Sequence, residues 1–159
     1  MEAALEYLSS SENDTDRFAA NCADAVECGL SFALMGEMGS GKTRYVRAFC
    51  TALGVNPAEI SSPTFVLMQL YQGTRWAISH FDTYRLGDSD EFHALGADEY
   101  LADPDCICLI EWADRVRELL PTDRVTIEIR QTGETQRQIE VAATGPIAAE
   151  WLNRLRSKL

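Results

Sequence analysis

The 159 residues predict a three-layer α/β domain, a mixed β-sheet flanked by helices. Two apolar runs, at 30–35 and 106–110, are continuous, as in strands covered on both faces. Helical patterns alternate with them. Two further stretches read as hairpins, around Gln72-Gly73-Thr74 and Thr132-Gly133-Glu134. The length suits one domain over 1–159, and 46% hydrophobic residues suffice for a core without disulfides or a structural metal.

Residues 4–8 read as a first short strand. Ser11 or Asn13 then caps a helix over 15–28. After the strand at 30–35, a helix over 42–53 is ended by Gly54. Ser61-Ser62-Pro63-Thr64 is a loop, because proline biases its predecessor away from helix. Segments 65–71 and 75–81 form the first hairpin, and a short acidic helix follows over about 88–101. Beyond the strand at 106–110, residues 113–120 are helical up to Pro121, 125–129 and 138–141 alternate as the second hairpin, and 147–159 is an amphipathic helix.

Charge narrows the function. Lys+Arg 14 against Asp+Glu 25 leaves −11, and a surface so negative repels polyphosphate, which argues against direct, independent nucleic-acid binding. Only Lys42 and Lys158 are lysines. No apolar run approaches the roughly 18 residues of a membrane span, and Met1-Glu2-Ala3-Ala4 does not open an export signal, so the expected location is the cytoplasm, with no membrane partner. Cys22, Cys28, Cys50, Cys106 and Cys108 lack a second ligand pair at zinc spacing and read as reduced thiols.

Gly36-Glu37-Met38-Gly39-Ser40-Gly41-Lys42-Thr43 matches G-x-x-x-x-G-K-[ST] at every fixed position, between a strand and a helix. Glycines let successive N–H groups turn inward on phosphate oxygens, and the following helix adds its positive end. Lys42 would reach the β- and γ-phosphates, and the Thr43 hydroxyl would ligate Mg²⁺. The expected cofactors are therefore ATP and Mg²⁺; no asparagine is followed by lysine, so the Asn-Lys-x-Asp of guanine-selective proteins is absent. A carboxylate should lie at the end of a neighbouring buried strand, and two qualify. Glu111 follows four apolar positions and is assigned to the metal. Asp82 is assigned either to orienting the attacking water or to an outer-shell metal role. His80, on the same strand face as Asp82, reads as a satisfied buried histidine or as a catalytic group. Trp112 either packs in the core or covers the nucleotide, and residues 61–64 either sense the γ-phosphate or form an ordinary turn.

The order of motifs carries a resemblance. Residues 36–43, Ser62-Pro63-Thr64-Phe65, His80-Phe81-Asp82-Thr83-Tyr84-Arg85-Leu86, Glu91 with Leu95-Gly96 and Tyr100, and Ile110-Glu111-Trp112 before Leu119-Leu120-Pro121 resemble the TsaE (YjeE) family. That family comprises bacterial ATPases required for threonylcarbamoylation of adenosine 37 in tRNAs reading ANN codons. The similarity runs from about Thr15 into the last hairpin. It implies a P-loop NTPase-like fold and a catalytic set of Lys42, Asp82 and Glu111, with Thr43 and Glu111 on Mg²⁺. It also implies nucleotide contacts from Glu37, Met38, Gly39, Ser40, Gly41, Lys42, Thr43 and Arg44, from Trp112, from Thr15 near the base and from Arg137 in the final hairpin. Met38 and Ser40 stand where the family usually has Leu and Ala, and Thr83 replaces a common apolar residue.

The resemblance further implies low intrinsic ATPase activity and a partner, the TsaB–TsaD complex, which hydrolysis resets between turnovers. The −11 charge fits a protein that meets tRNA only through such partners. The alternative is a small-molecule kinase in which Arg115, Arg117 and Arg137 clamp an acceptor. A nucleotide-dependent adaptor without turnover is a third reading.

Overall fold

The computed structural model describes residues 2–61 and 67–159. Its strands are β1 (Glu2–Ser9), β2 (Leu30–Met35), β3 (Met68–Gln72), β4 (Ala77–Asp82), β5 (Cys106–Glu111), β6 (Arg124–Gln131) and β7 (Arg137–Thr144). They form one mixed sheet in the order β1-β7-β6-β2-β5-β4-β3. The inner four, β6-β2-β5-β4, are parallel, while β3 on one side and β7 and β1 on the other are added antiparallel.

Helices α1 (Glu12–Asp24), α2 (Lys42–Ala52) and α5 (Pro146–Arg156) cover one face. Short helices α3 (Ser89–Ala94) and α4 (Ala97–Ala102), with a 3₁₀ segment Ala113–Leu119, cover the β2, β5 and β4 part of the other. This double cover explains the continuous apolar runs. In β2, Phe32 and Leu34 enter the first layer and Ala33 the second. Phe32 meets the edges of Phe49 at 5.0 Å and Trp151 at 5.3 Å, and the Trp151 indole donates to the Cys22 carbonyl at 3.0 Å, tying α5 to α1. Burying each such side chain is worth about 1.5–3 kcal/mol or more, so this cluster anchors the layer that carries the glycine-rich loop. Among the described residues, no helix is long and apolar enough to cross a membrane.

The element order agrees with the sequence reading, and the boundaries move for local reasons. Of the two proposed caps Ser11 is used, its hydroxyl accepting from the Asp14 N–H at 3.1 Å, so α1 starts at Glu12 and stops at Asp24. β1 is longer than 4–8 because it zips along β7 from Glu2 to Ser9. The helix expected over 88–101 is two helices, broken where Gly96 takes φ 78°. Residues 113–119 are 3₁₀ rather than α: they leave Trp112 in the left-handed region at φ 58°, and buried Val116 departs from helical angles. Ser62, Pro63, Thr64 and Phe65 lie outside the described residues.

Candidate functional site

The parallel strands β2, β5 and β4 end at one edge of the sheet, and the candidate chemistry collects there. From Met35 the chain turns with Gly36, Gly39 and Gly41 at φ 146°, 81° and 111°. Gly36 has no substitute, since a Cβ there would lie 2.5 Å from the Ile129 carbonyl oxygen and 2.6 Å from Ser40 Oγ. The Ser40 N–H donates to the Glu37 carbonyl at 3.0 Å, and α2 begins at Lys42 with its N-terminus at the loop.

Lys42 is only 5% exposed. Its Nζ donates to the carbonyls of Gly36 at 2.5 Å and Glu37 at 3.0 Å and sits 4.0 Å from the centre of the Trp112 ring. Burial pulls its pKa below the ordinary lysine value, against the opposing pull of the Glu111, Asp82 and Asp114 carboxylates.

The carboxylates are set by strand register. Asp82 pairs with Glu111 across β4 and β5, and both project from the face that α2 covers. The Thr43 hydroxyl donates to Glu111 Oε1 at 2.9 Å, and His80 Nε2 lies 2.5 Å from Oε2. His80 Nδ1 lies 3.2 Å from the Tyr71 hydroxyl. Asp82 Oδ1 accepts from the Tyr84 N–H at 2.9 Å. A cavity of about 430 Å³ is lined by Lys42, Thr43, Asp82, Glu111 and Trp112, among others. Across Met38 and Trp112 lies a second, of about 610 Å³, reached by Gly36, Ser40, Arg117 and Gln131.

The structure therefore brings Lys42, Thr43, Asp82, Glu111 and Trp112 together. Trp112 is the wall between the two cavities, with Tyr84 packed at 4.8 Å on it. The remaining expected residues surround the loop in other ways. Arg137 reaches it from β7, donating to the Ser40 carbonyl at 2.7 Å. Thr15 is buried, its hydroxyl 2.6 Å from Ser9 Oγ, and with Arg137, Ser40 and Gly41 it borders a small depression. Arg44 grips Asp16 with two bonds, at 2.9 and 2.8 Å, and Glu12 with a third. Glu37 and Met38 are exposed at the tip, and Ser40 Oγ is buried with no hydrogen-bond partner among the described residues.

Three residues of the site escaped the sequence reading. Tyr71 is only one position in a hairpin strand there, and Tyr84 is quoted in the 80–86 motif with no role of its own. Thr83, noted as a departure, donates to the carbonyls of Trp112 at 2.6 Å and Glu111 at 3.1 Å and so ties the ends of β4 and β5. Position 83 is buried but faces two carbonyls, which suits a hydroxyl. The arginines of the kinase alternative are dispersed: Arg115 lies over the Tyr84 ring, Arg117 donates to Met35 Sδ, and Arg137 holds the loop carbonyl.

A parallel core strand running into a glycine-rich turn and then a helix, with acids on the adjacent strand ends, defines a P-loop NTPase-like α/β domain. The family model described as "Threonylcarbamoyl adenosine biosynthesis protein TsaE" matches residues 9–139. The chain belongs to the TsaE family. It is 37% identical to "tRNA threonylcarbamoyladenosine biosynthesis protein TsaE" of Treponema pallidum over 138 residues, 87% of this chain and 100% of that protein. It is 33% identical over 141 residues to the Bacillus subtilis protein of the same name, 89% of this chain and 87% of that one. The solved structure of Bacillus subtilis YdiB superposes with a TM-score of 0.81 at 28% identity, covering 99% of this chain and 97% of the other.

Proposed function

We propose that this chain is an ATP-binding and ATP-hydrolysing accessory protein of tRNA threonylcarbamoylation at adenosine 37, acting in the cytoplasm on a TsaB–TsaD complex. The observation that carries the reading is the convergence of the Lys42 ammonium, the Thr43 hydroxyl and the Asp82 and Glu111 carboxylates beside one glycine-rich turn. The family name supports the pathway, as do the names of the Treponema and Bacillus relatives.

The loop residues Glu37, Met38, Gly39, Ser40, Gly41, Lys42 and Thr43 wrap the phosphates. Lys42, already poised on two loop carbonyls, needs only a side-chain swing to place its charge on the β- and γ-phosphoryl oxygens. Thr43 and Glu111 fit Mg²⁺: both offer oxygen, they already touch, and this ion takes few protein ligands beside water and phosphate. When bound, Mg²⁺ neutralises charge on the transferring phosphoryl group. Asp82 would orient the attacking water or take an outer-shell role toward the metal. Trp112 flanks the nucleotide, Arg137 braces the loop, Arg44 ties the start of α2 to α1 beside it, and Thr15 stands near the base. Among the described residues the cations lining this cavity are Lys42, Arg44 and Arg85, and Arg44 is already held by Asp16 and Glu12, so turnover by the isolated chain is low and rises with the partner. The tRNA is held by the partners, since the −11 chain repels it.

Phosphate release from ATP should rise when TsaB and TsaD are added and vanish in Lys42→Ala. Release that ignores every partner combination, or that persists in Lys42→Ala, overturns the reading. Transfer of labelled phosphate to a metabolite would instead support the kinase.

A further inference from the structure

The sequence left His80 open between packing and chemistry. It is fully buried on β4, yet both ring nitrogens are engaged. A carboxylate only accepts, so Nε2 carries a proton and donates to Glu111 Oε2 at 2.5 Å. The other ring nitrogen, Nδ1, lies 3.2 Å from the Tyr71 hydroxyl oxygen, which packs the ring from behind. Tyr71 is itself fixed: its oxygen lies 2.8 Å from Gln69 Oε1 and 3.1 Å from the Ser61 carbonyl.

Glu111 thus has its two oxygens assigned to opposite partners, Oε2 to the ring behind it and Oε1 to Thr43 in front. A buried carboxylate without the ring would be free to rotate about its last torsion, which is broad and two-fold. It would also lose a hydrogen bond that compensates for its burial.

We propose that His80, held by Tyr71, is a positioning residue that locks the Glu111 carboxylate with Oε1 turned to Thr43 and the metal position. The proposal rests on the reading of Glu111 as a magnesium ligand. The line Tyr71–His80–Glu111–Thr43, buried up to the half-buried Thr43, crosses from β3 through β4 and β5 to the start of α2, so the lock is built from four separate elements.

The test uses the full chain with ATP, comparing nucleotide affinity with and without Mg²⁺ and the Mg²⁺ concentration at half-saturation. Outer partners of metal ligands typically contribute about 10- to 100-fold in metal affinity. His80→Ala should raise half-saturating Mg²⁺ about 10-fold while Mg²⁺-free ATP affinity stays within about two-fold. His80→Gln, whose amide can still donate to Oε2, should recover part of the loss. Tyr71→Phe keeps the ring and removes only the hydroxyl, so it should move Mg²⁺ in the same direction by less, and it decides the matter if His80→Ala does not fold. A magnesium response unchanged in Tyr71→Phe and His80→Gln alike, or metal-free binding that falls equally, overturns the lock. Glu111→Gln separates the two readings. If it shifts Mg²⁺ dependence while the His80 and Tyr71 variants do not, the lock alone fails; if it shifts nothing, the ligand assignment fails and the lock with it.

Discussion

Thr43 and Glu111, 68 residues apart in the chain, meet with the hydroxyl of one 2.9 Å from Oε1 of the other. The contact joins the first turn of α2 to the last residue of β5. It brings the two oxygen-bearing side chains proposed to hold Mg²⁺ to one point, so on that proposal little ordering would oppose binding.

Removing one of the two should therefore act through the metal. Glu111→Ala is expected to weaken Mg-ATP binding about 10-fold while leaving Mg²⁺-free ATP binding nearly unchanged, as read by titration calorimetry in each condition. Equal losses in both would remove Glu111 from the metal.

Lys42 rests on the Trp112 ring, a contact worth about 0.5–2 kcal/mol. If ATP draws the ammonium onto phosphate, the indole changes surroundings. Tryptophan emission should shift on adding Mg-ATP to the natural protein. The shift should be absent in Trp112→Phe, which leaves Trp76 and Trp151 in place. An undiminished signal in that variant would assign it elsewhere.

The loop glycines differ in what surrounds them. A Cβ at Gly36 meets backbone at 2.5 Å, whereas one at Gly39 meets nothing within 4 Å. Gly39→Ala should cost about 1 kcal/mol, the strain of positive φ alone. Gly36→Ala should lower the denaturation midpoint clearly more, with nucleotide binding lost because the turn must open. Equal midpoints for the two variants would contradict this.

Acid should expose the pair at the start of α1. Asp14 accepts from the Tyr7 hydroxyl at 2.5 Å and from the Ser10 N–H at 2.9 Å. The Tyr7 bond, then that of Ser10, holds its pKa below the ordinary aspartate value; burial and the same bond push Tyr7 up to about 12. A depressed carboxylate stabilises the fold above its unfolded pKa and loses that contribution as pH falls through the folded one. The melting-temperature advantage of the natural protein over Asp14→Asn should hold from pH 7 to about 5 and shrink steadily below about 4. An advantage that grows in acid would refute the assignment.

Much was readable from local order. Residues 36–43 announce their own geometry because glycine spacing is a backbone property, and the runs at 30–35 and 106–110 announce double burial because an uncovered face would carry polar residues. Glu111 and Asp82 could be picked as strand-end acids by position alone, and Ser11 as a cap by chemistry. What local order cannot carry is pairing across distance. That Asp82 stands beside Glu111, that His80 and Tyr71 line up behind it, and that Arg137 reaches the Ser40 carbonyl depend on strand register. Register is a sum over many side chains from separate segments, and shifting it by one residue would turn each of these groups to the other face. Trp112 shows the division most plainly. Its residue type allowed either core or cover; the backbone at φ 58°, pinned by Thr83, turns the ring under Lys42 and makes it a wall of the site.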